Sequence, residues 1–212
     1  MSRSSSFAGI ILAAGESSRM GRDKALLPWP PQVEGQAPVK ETFLSAAIGS
    51  LSFSTDFIVV VAGANESDLA PIAYASGASV VTNPDPSLGQ FSSLRVGLRE
   101  VLNRGRDAAM ITLVDRPPAS AGTIQLLRTA FESASPDIWA VVPEFSGQHG
   151  HPYLAGRELI EAFLQAPATS TAREVEHGCQ QHILYVAVSD PFVALNVNTP
   201  DDYAALVARR PS

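Results

Sequence analysis

GIILAAGESSRMGRDKALLPW, residues 9–29, is the stretch on which the reading of the chain turns. An apolar run ends at two alanines and a glycine, and small, polar and basic residues follow as far as Lys24. A strand that stops at such a turn and passes into a basic loop is the context in which backbone amides gather round an anion. Gly15 gives the turn a freedom that other residues lack, and Gly21 lets backbone come close to a ligand. Arg19, Arg22 and Lys24 add cationic donors, and arginine suits bidentate phosphate contact. The loop is neither a P-loop, with its G-K-[ST], nor the dinucleotide fingerprint G-x-G-x-x-G, which sets a nicotinamide dehydrogenase aside.

Working outward, apolar runs recur at residues 8–14, 57–63, 78–83, 108–115 and 138–145. They are continuously apolar rather than alternating, as expected of strands buried on both faces. Helical patterns lie between them at about residues 41–51, 67–76, 91–103 and 123–133. The order predicts an α/β fold, a doubly wound, mostly parallel sheet in three layers. The 212 residues suit one domain over 1–212. A Pro- and Gly-rich stretch at 28–38 reads as a loop or lid. Residues 147–182 read as a cap over one end of the sheet. The chain closes with Thr199 as an N-cap, Pro200 at the first helical position and acids in the first turn.

Composition narrows the partners. Apolar residues make up 45% and charged residues 17%, enough for a core. The net charge of -6 disfavours a nucleic-acid binder, which normally carries a basic surplus. The single cysteine, Cys179, precludes an internal disulfide and suits a reducing compartment. The opening apolar run is too short for a signal h-region or a membrane span. The expectation is a soluble, cytoplasmic protein with no membrane partner.

In an open parallel sheet ligands bind beyond the carboxyl ends of the strands, so the loops there are the informative ones. NPDPSLGQFSSLRVGL, residues 83–98, is turn-rich and enters a helix with Ser92 and Ser93 free to donate hydroxyls. LVDRPP, residues 113–118, puts Asp115 at a strand end, where a carboxylate serves as an N-cap or as a ligand for a divalent metal in phosphoryl chemistry. GQHGHPYLAG, residues 147–156, carries His149 and His151. These read as structural histidines or as metal chelators, His177, Cys179 and His182 form a second set that could chelate, and neither set has zinc spacing or a full ligand count. LNVNTPDDY, residues 195–203, taken alone is a helix start.

Together these segments resemble the nucleotidyltransferases related to the molybdenum cofactor guanylyl- and cytidylyltransferases, the MobA-like NTP transferase family. The first loop resembles that family's L-A-A-G-x-[GS]-x-R-[MF]-G-x-x-K, the second its N-P-x-[WY]-x-x-G-[MQ]-x-S-S-L-x-x-G-L, and residues 195–203 its N-[IV]-[ND]-T-P-[ED]-[DE]. The resemblance spans residues 8–205 and implies a Rossmann-like fold of the nucleotide-diphospho-sugar transferase type. It implies that Leu12, Ala13 and Gly15 meet the base and ribose, and that Arg19 and Lys24 hold the phosphates as catalytic groups. It also implies that the segment with Ser92 and Ser93 recognises base and ribose, that His151, in Gly150-His151-Pro152, lies near the second substrate, and that Asp115 holds Mg2+ as the third catalytic residue. Asn198 is a candidate second metal ligand, weaker than the aspartate many relatives carry. Arg116 stands where the family's D-Q-P has glutamine, and the 30–38 stretch is longer than in most relatives.

The implied reaction is nucleotidyl transfer from CTP or GTP to a phosphorylated acceptor such as molybdopterin. The 83–98 loop and the G-H-P segment lean to CTP, and Asn196-Val197-Asn198 to GTP. Two alternatives accompany it: transfer to a sugar or polyol phosphate, and a non-catalytic accessory protein that delivers the cofactor to a molybdoenzyme by transient contact.

Overall fold

The computed structural model of the protein describes residues 6–31 and 39–207. Its strands are β1 (Phe7–Leu12), β2 (Phe57–Ala62), β3 (Ser79–Thr82), β4 (Ala108–Leu113), β5 (Ala140–Phe145), β6 (Gln148–His149), β7 (Tyr153–Gly156) and β8 (Ile183–Ala187). Its α-helices are α1 (Phe43–Ser52), α2 (Glu66–Ala75), α3 (Gln90–Asn103), α4 (Ala121–Ser133), α5 (Arg157–Gln165), α6 (Ala172–Gly178) and α7 (Pro200–Val207).

Each long apolar run forms a strand because both of its faces are covered. Phe7, Ile11, Val60 and Met110 face one layer with Leu44, Ile48, Leu69, Ile124 and Leu127 of α1, α2 and α4. Ile10, Val59, Val61 and Ile111 face the other, with Leu94 and Leu98 of α3 and Leu159, Ile160 and Phe163 of α5. The strand order is β3-β2-β1-β4-β7-β5-β6, with β8 paired to β5. β1 pairs in parallel with β2 and with β4. The chain thus winds outward from β1 to β3 and resumes on β1's other side, which opens a crevice at the carboxyl ends of β1 and β4.

The sheet departs from the sequence expectation at one place. Within the 147–182 stretch expected as a cap, β7 lies inside the sheet, antiparallel to both β4 and β5. The cause is long-range pairing. After β5 the chain folds back through β6, and Tyr153, Leu154 and Ala155 are buried enough to occupy the slot between two strands. Of the 28–38 stretch expected as a lid, Pro28 bridges to Thr42 at the foot of α1, while residues 32–38 lie outside the described residues. Among the described residues no helix is long and apolar enough to cross a membrane.

Candidate active site

The first loop leaves β1 at Leu12 and is shaped by two left-handed residues, Ser17 (φ 51°) and Gly21 (φ 71°). The turn expected at Gly15 is therefore made elsewhere. Gly15 has no positive φ, and a Cβ there would meet open space, so its bareness leaves room in the crevice. Gly21 is where the chain needs the freedom. The loop is pinned from both sides. Ser17 Oγ accepts the Lys24 N–H at 3.2 Å. Asn65, just past β2, donates from Nδ2 to Ala13 O at 3.0 Å and to Asp23 Oδ2 at 2.6 Å. Its Oδ1 accepts the Gly63 N–H at 3.0 Å, and Asp23 in turn caps the short helix Lys24–Leu26 through the Ala25 N–H. Behind the loop a small apolar cluster of Met20, Leu27, Phe43, Val197 and Leu206 ties it to α1 and α7.

Lys24 is the centre of the arrangement. Its Nζ donates to Asp115 Oδ2 at 3.1 Å and to Asn198 Oδ1 at 2.9 Å. Three segments far apart in the chain converge on one ammonium. Asp115 ends the β4 loop, and its carbonyl accepts the Val197 N–H at 2.8 Å, which draws residues 196–198 alongside. Asn198 is held by Asp202, whose Oδ2 accepts the Asn198 and Thr199 N–H groups at 2.9 Å each, while Thr199 Oγ1 accepts the Asp202 N–H. Those bonds, the Asn198 N–H first, hold the Asp202 carboxyl below its usual range. Asp115 Oδ1 is buried and has no hydrogen-bond partner. Two side-chain oxygens around a cation, plus an unpartnered carboxylate oxygen, fit a divalent metal completed by phosphate oxygens. Among the described residues no group of three or more His, Cys, Asp or Glu gathers as a metal site.

Two cavities meet in the crevice. One, of about 320 Å³, is lined by Gly15, Ser17, Lys24, Ser93 and Asp115. The other, of about 670 Å³, is lined by Ile111, Arg116, His151, Tyr153 and Glu176. Leu12, Gly89, Gln90 and Leu113 line both, so the two are neighbours across the end of β1. Several expected site residues lie differently from their sequence reading. Ala13 turns into the core, and Ala14 lines the smaller cavity instead. Arg19 is exposed and lies outside both cavity linings. Ser92 is not free to donate to a ligand. Its hydroxyl bonds Gly89 O at 2.8 Å, and Asn83 Nδ2 donates to Ser92 and Ser93 at 2.7 and 2.9 Å. Ser93 does reach the smaller cavity. Gln90, Asn65 and Asn83 were missed. Asn65 had a signal, an asparagine two residues past a strand-ending glycine, where Asx turns form.

Arg116 points to neither solvent nor Lys24. Its Nη1 donates to Val193 O at 2.8 Å, and that same oxygen accepts the His151 N–H at 2.9 Å. Gly150 is required here, because a Cβ would fall 2.3 Å from Val193 O. Burial lowers the Arg116 pKa against the raising effect of Asp115. Burial, with Arg116 beside it, pushes His151 down to about 3, so the ring is neutral. Arg116 Nε and His151 Nδ1 are buried without hydrogen-bond partners.

A doubly wound sheet with a basic loop at its switch point and a lysine–carboxylate–amide cluster facing it fits the nucleotidyltransferase class. The chain belongs to the family of the MobA-like NTP transferase domain, whose profile matches residues 9–183. A probable molybdenum cofactor guanylyltransferase of Mycobacterium avium (strain 104) is 32% identical over 217 residues, covering 99% of this chain and 100% of its own. The molybdenum cofactor cytidylyltransferase of Escherichia coli (strain K12) is 27% identical over 195 residues, 92% of each. Among solved structures, Rv0371c from Mycobacterium tuberculosis H37Rv matches with a TM-score of 0.78 at 25% identity, covering 96% of this chain and 98% of that one. A manganese complex of Rv0371c matches with a TM-score of 0.72 at 22% identity.

Proposed function

We propose that the protein transfers a nucleotidyl group from CTP or GTP to the phosphate of a molybdopterin and releases pyrophosphate. The observation that carries this is Lys24 held between Asp115 and Asn198 where the smaller cavity adjoins a larger, mainly apolar one. The smaller cavity suits the triphosphate, with the first loop around it. The larger suits an acceptor. Both the cytidylyl- and the guanylyltransferase relatives act on a molybdenum cofactor by name.

The reaction needs no strong base. A phosphate monoester is largely ionised near neutral pH, so its oxygen attacks the α-phosphorus directly, the α–β anhydride bond breaks, and pyrophosphate leaves with the electron pair. The barrier is repulsion between anions and charge building on the leaving group, so positioning and electrostatic stabilisation dominate. Lys24 supplies a cation at the phosphates. Mg2+ bound by Asp115 and Asn198 would supply Lewis-acid neutralisation of phosphate charge, and the manganese complex of Rv0371c supports a divalent ion. Arg19, exposed and outside both linings, would attract the triphosphate rather than grip it. The free Cys179 and lack of a disulfide suit work in the cytoplasm.

The test is a thermal-shift panel with Mg2+ and each of CTP, GTP, ATP and UTP, followed by pyrophosphate release with molybdopterin. A ligand at about 100 times its Kd stabilises by roughly 2.7 kcal/mol, a shift of a few degrees. A shift with CTP or GTP alone, and pyrophosphate release only with molybdopterin, is the expected result. Binding of molybdopterin with no pyrophosphate release would favour a carrier instead, and release with a sugar phosphate would replace the acceptor.

A further inference from the structure

Glu176 has no structural task that the fold reveals. It lies on α6, whose start is already completed by a different carboxylate: Thr171 and Glu174 form the capping box, with the Thr171 N–H donating to Glu174 Oε2 at 2.7 Å. Among the described residues the Glu176 carboxyl makes no hydrogen bond or ion pair, while its backbone carbonyl accepts the Cys179 N–H at 3.0 Å. Yet it is partly buried, and burial raises its carboxyl to about 7. It is the one carboxylate lining the 670 Å³ cavity. A desolvated acid without a partner, in a cleft, marks a group waiting for a ligand.

The rest of the lining narrows that ligand. Leu12, Phe91, Leu94, Ile111, Leu113 and Tyr153 offer apolar surface to a flat ring. Arg116 Nε and His151 Nδ1 are buried there and unpartnered. The cavity therefore asks for a heterocycle that presents adjacent N–H donors to a carboxylate and acceptors to an arginine. A 2-amino-4-oxopyrimidine ring has both, with the ring N–H and exocyclic amine on one edge and the carbonyl on another. Two candidate ligands carry that edge, a pterin acceptor and the guanine of GTP. The cavity's position favours the pterin, since it runs along β4, β7 and α6, away from the Lys24 loop.

We propose that Glu176 is the acceptor-specificity residue, reading the amino-pyrimidinone edge of the pterin while Arg116 meets its carbonyl side. This rests on the molybdopterin reading of the acceptor. A carboxylate accepting two N–H groups makes charge-assisted bonds, so its neutral isostere should cost roughly tenfold or more in affinity.

The experiment uses free pterin and lumazine, its 2-oxo analogue without the amine, as fluorescent probes on the full chain, beside GTP and ITP. It compares wild type with Glu176→Gln, which keeps the side-chain volume. The expected result is that wild type prefers pterin to lumazine by about tenfold or more, that Glu176→Gln loses the preference, and that both bind CTP and GTP alike. In turnover the variant should raise KM for molybdopterin with little change in the nucleotide KM. Equal pterin binding by both proteins would overturn the role of Glu176 and leave the acceptor reading standing. Nucleotide binding with neither pteridine bound would overturn both and leave nucleotidyl transfer. A loss of GTP-over-ITP preference in the variant, with pterin unaffected, would overturn the proposal by showing that the cavity holds guanine.

Discussion

The two halves of the crevice are built on opposite principles. On the Lys24 side the polar side chains are partnered apart from one oxygen, Asp115 Oδ1, which is left for a metal: Lys24 with Asp115 and Asn198, Asn198 with Asp202, Asp23 and Ala13 with Asn65. On the α6 side Arg116 Nε, His151 Nδ1 and the Glu176 carboxyl are desolvated and unmatched. A satisfied network holds charges where transition-state charge will develop, which is preorganisation. Unmatched groups reduce stability until a ligand meets them, and that pays out as selectivity, because a ligand lacking the right edge leaves them bare. The first half should therefore control rate, and the second should control which acceptor is used.

The largest effect that could break this division lies at Lys24 and Asp115. Lys24→Ala and Asp115→Ala should each lower kcat by about 10²–10³ or more. Circular dichroism should show the fold intact. Wild-type turnover in either variant would remove the rate-controlling role from the network. Asp115→Ala should also weaken Mn2+ binding, read by electron paramagnetic resonance without turnover.

The sequence reveals the Lys24 half of the crevice better than the α6 half, for a physical reason. Strands buried on both faces are written as apolar runs, and a loop that wraps an anion needs glycine and basic residues at fixed places, so both leave local marks. Lys24 was legible that way and Asp115 from its place at a strand end, whereas Asn198 was named only through the family resemblance; the fold brings the three together across 91 and 174 residues. The other half is assembled by long-range pairing. Insertion of β7 between β4 and β5 leaves no local trace. α6 has seven residues, too short for helical periodicity to show, although its Thr171-x-x-Glu174 start was readable as a capping box. Glu176 was invisible for the same reason. Ser92 failed differently: a hydroxyl at a helix start is as readily taken by the backbone as by a ligand.

A smaller effect sharpens the comparison at Asn65, which lines neither cavity but ties the Lys24 loop to the end of β2. Asn65→Ala leaves Ala13 O and one Asp23 oxygen without this donor and should cost about 1–2 kcal/mol in stability. If the loop's preorganisation sets the rate, kcat should fall roughly tenfold as Lys24 loses its fixed position. A stability loss with kcat unchanged would show that the loop finds its geometry only on the bound nucleotide.

The smallest effect is a slope. His151 has its folded pKa at about 3, below its ordinary 6.5. The unfolded chain therefore takes up a proton below pH 6.5 that the folded chain refuses, and this group's stability is lost as pH falls from 6.5 toward 3. Glu176 is the reverse, folded at about 7 against an ordinary 4.5. The folded chain keeps a proton that the unfolded chain has lost, so this group's stability falls as pH rises from 4.5 to 7. Between pH 4.5 and 6.5 the two slopes oppose each other, each at most about 1.4 kcal/mol per pH unit and less for the partly exposed Glu176. The groups facing Glu176 are Tyr153 and Tyr185, both raised by burial with Glu176 adding, Arg116 and its α6 neighbour Arg173, which line the same cavity, and His149, Glu174 and His177, which line the adjoining one; both variants keep all of them. Urea midpoints at pH 5.0 and 6.5 read the balance. Glu176→Gln should leave the histidine slope exposed, with stability rising with pH, and His151→Asn should show the opposite. Parallel pH profiles in wild type and both variants would mean that neither group is desolvated in solution, and the α6 side would lose the unmatched character on which its selectivity rests.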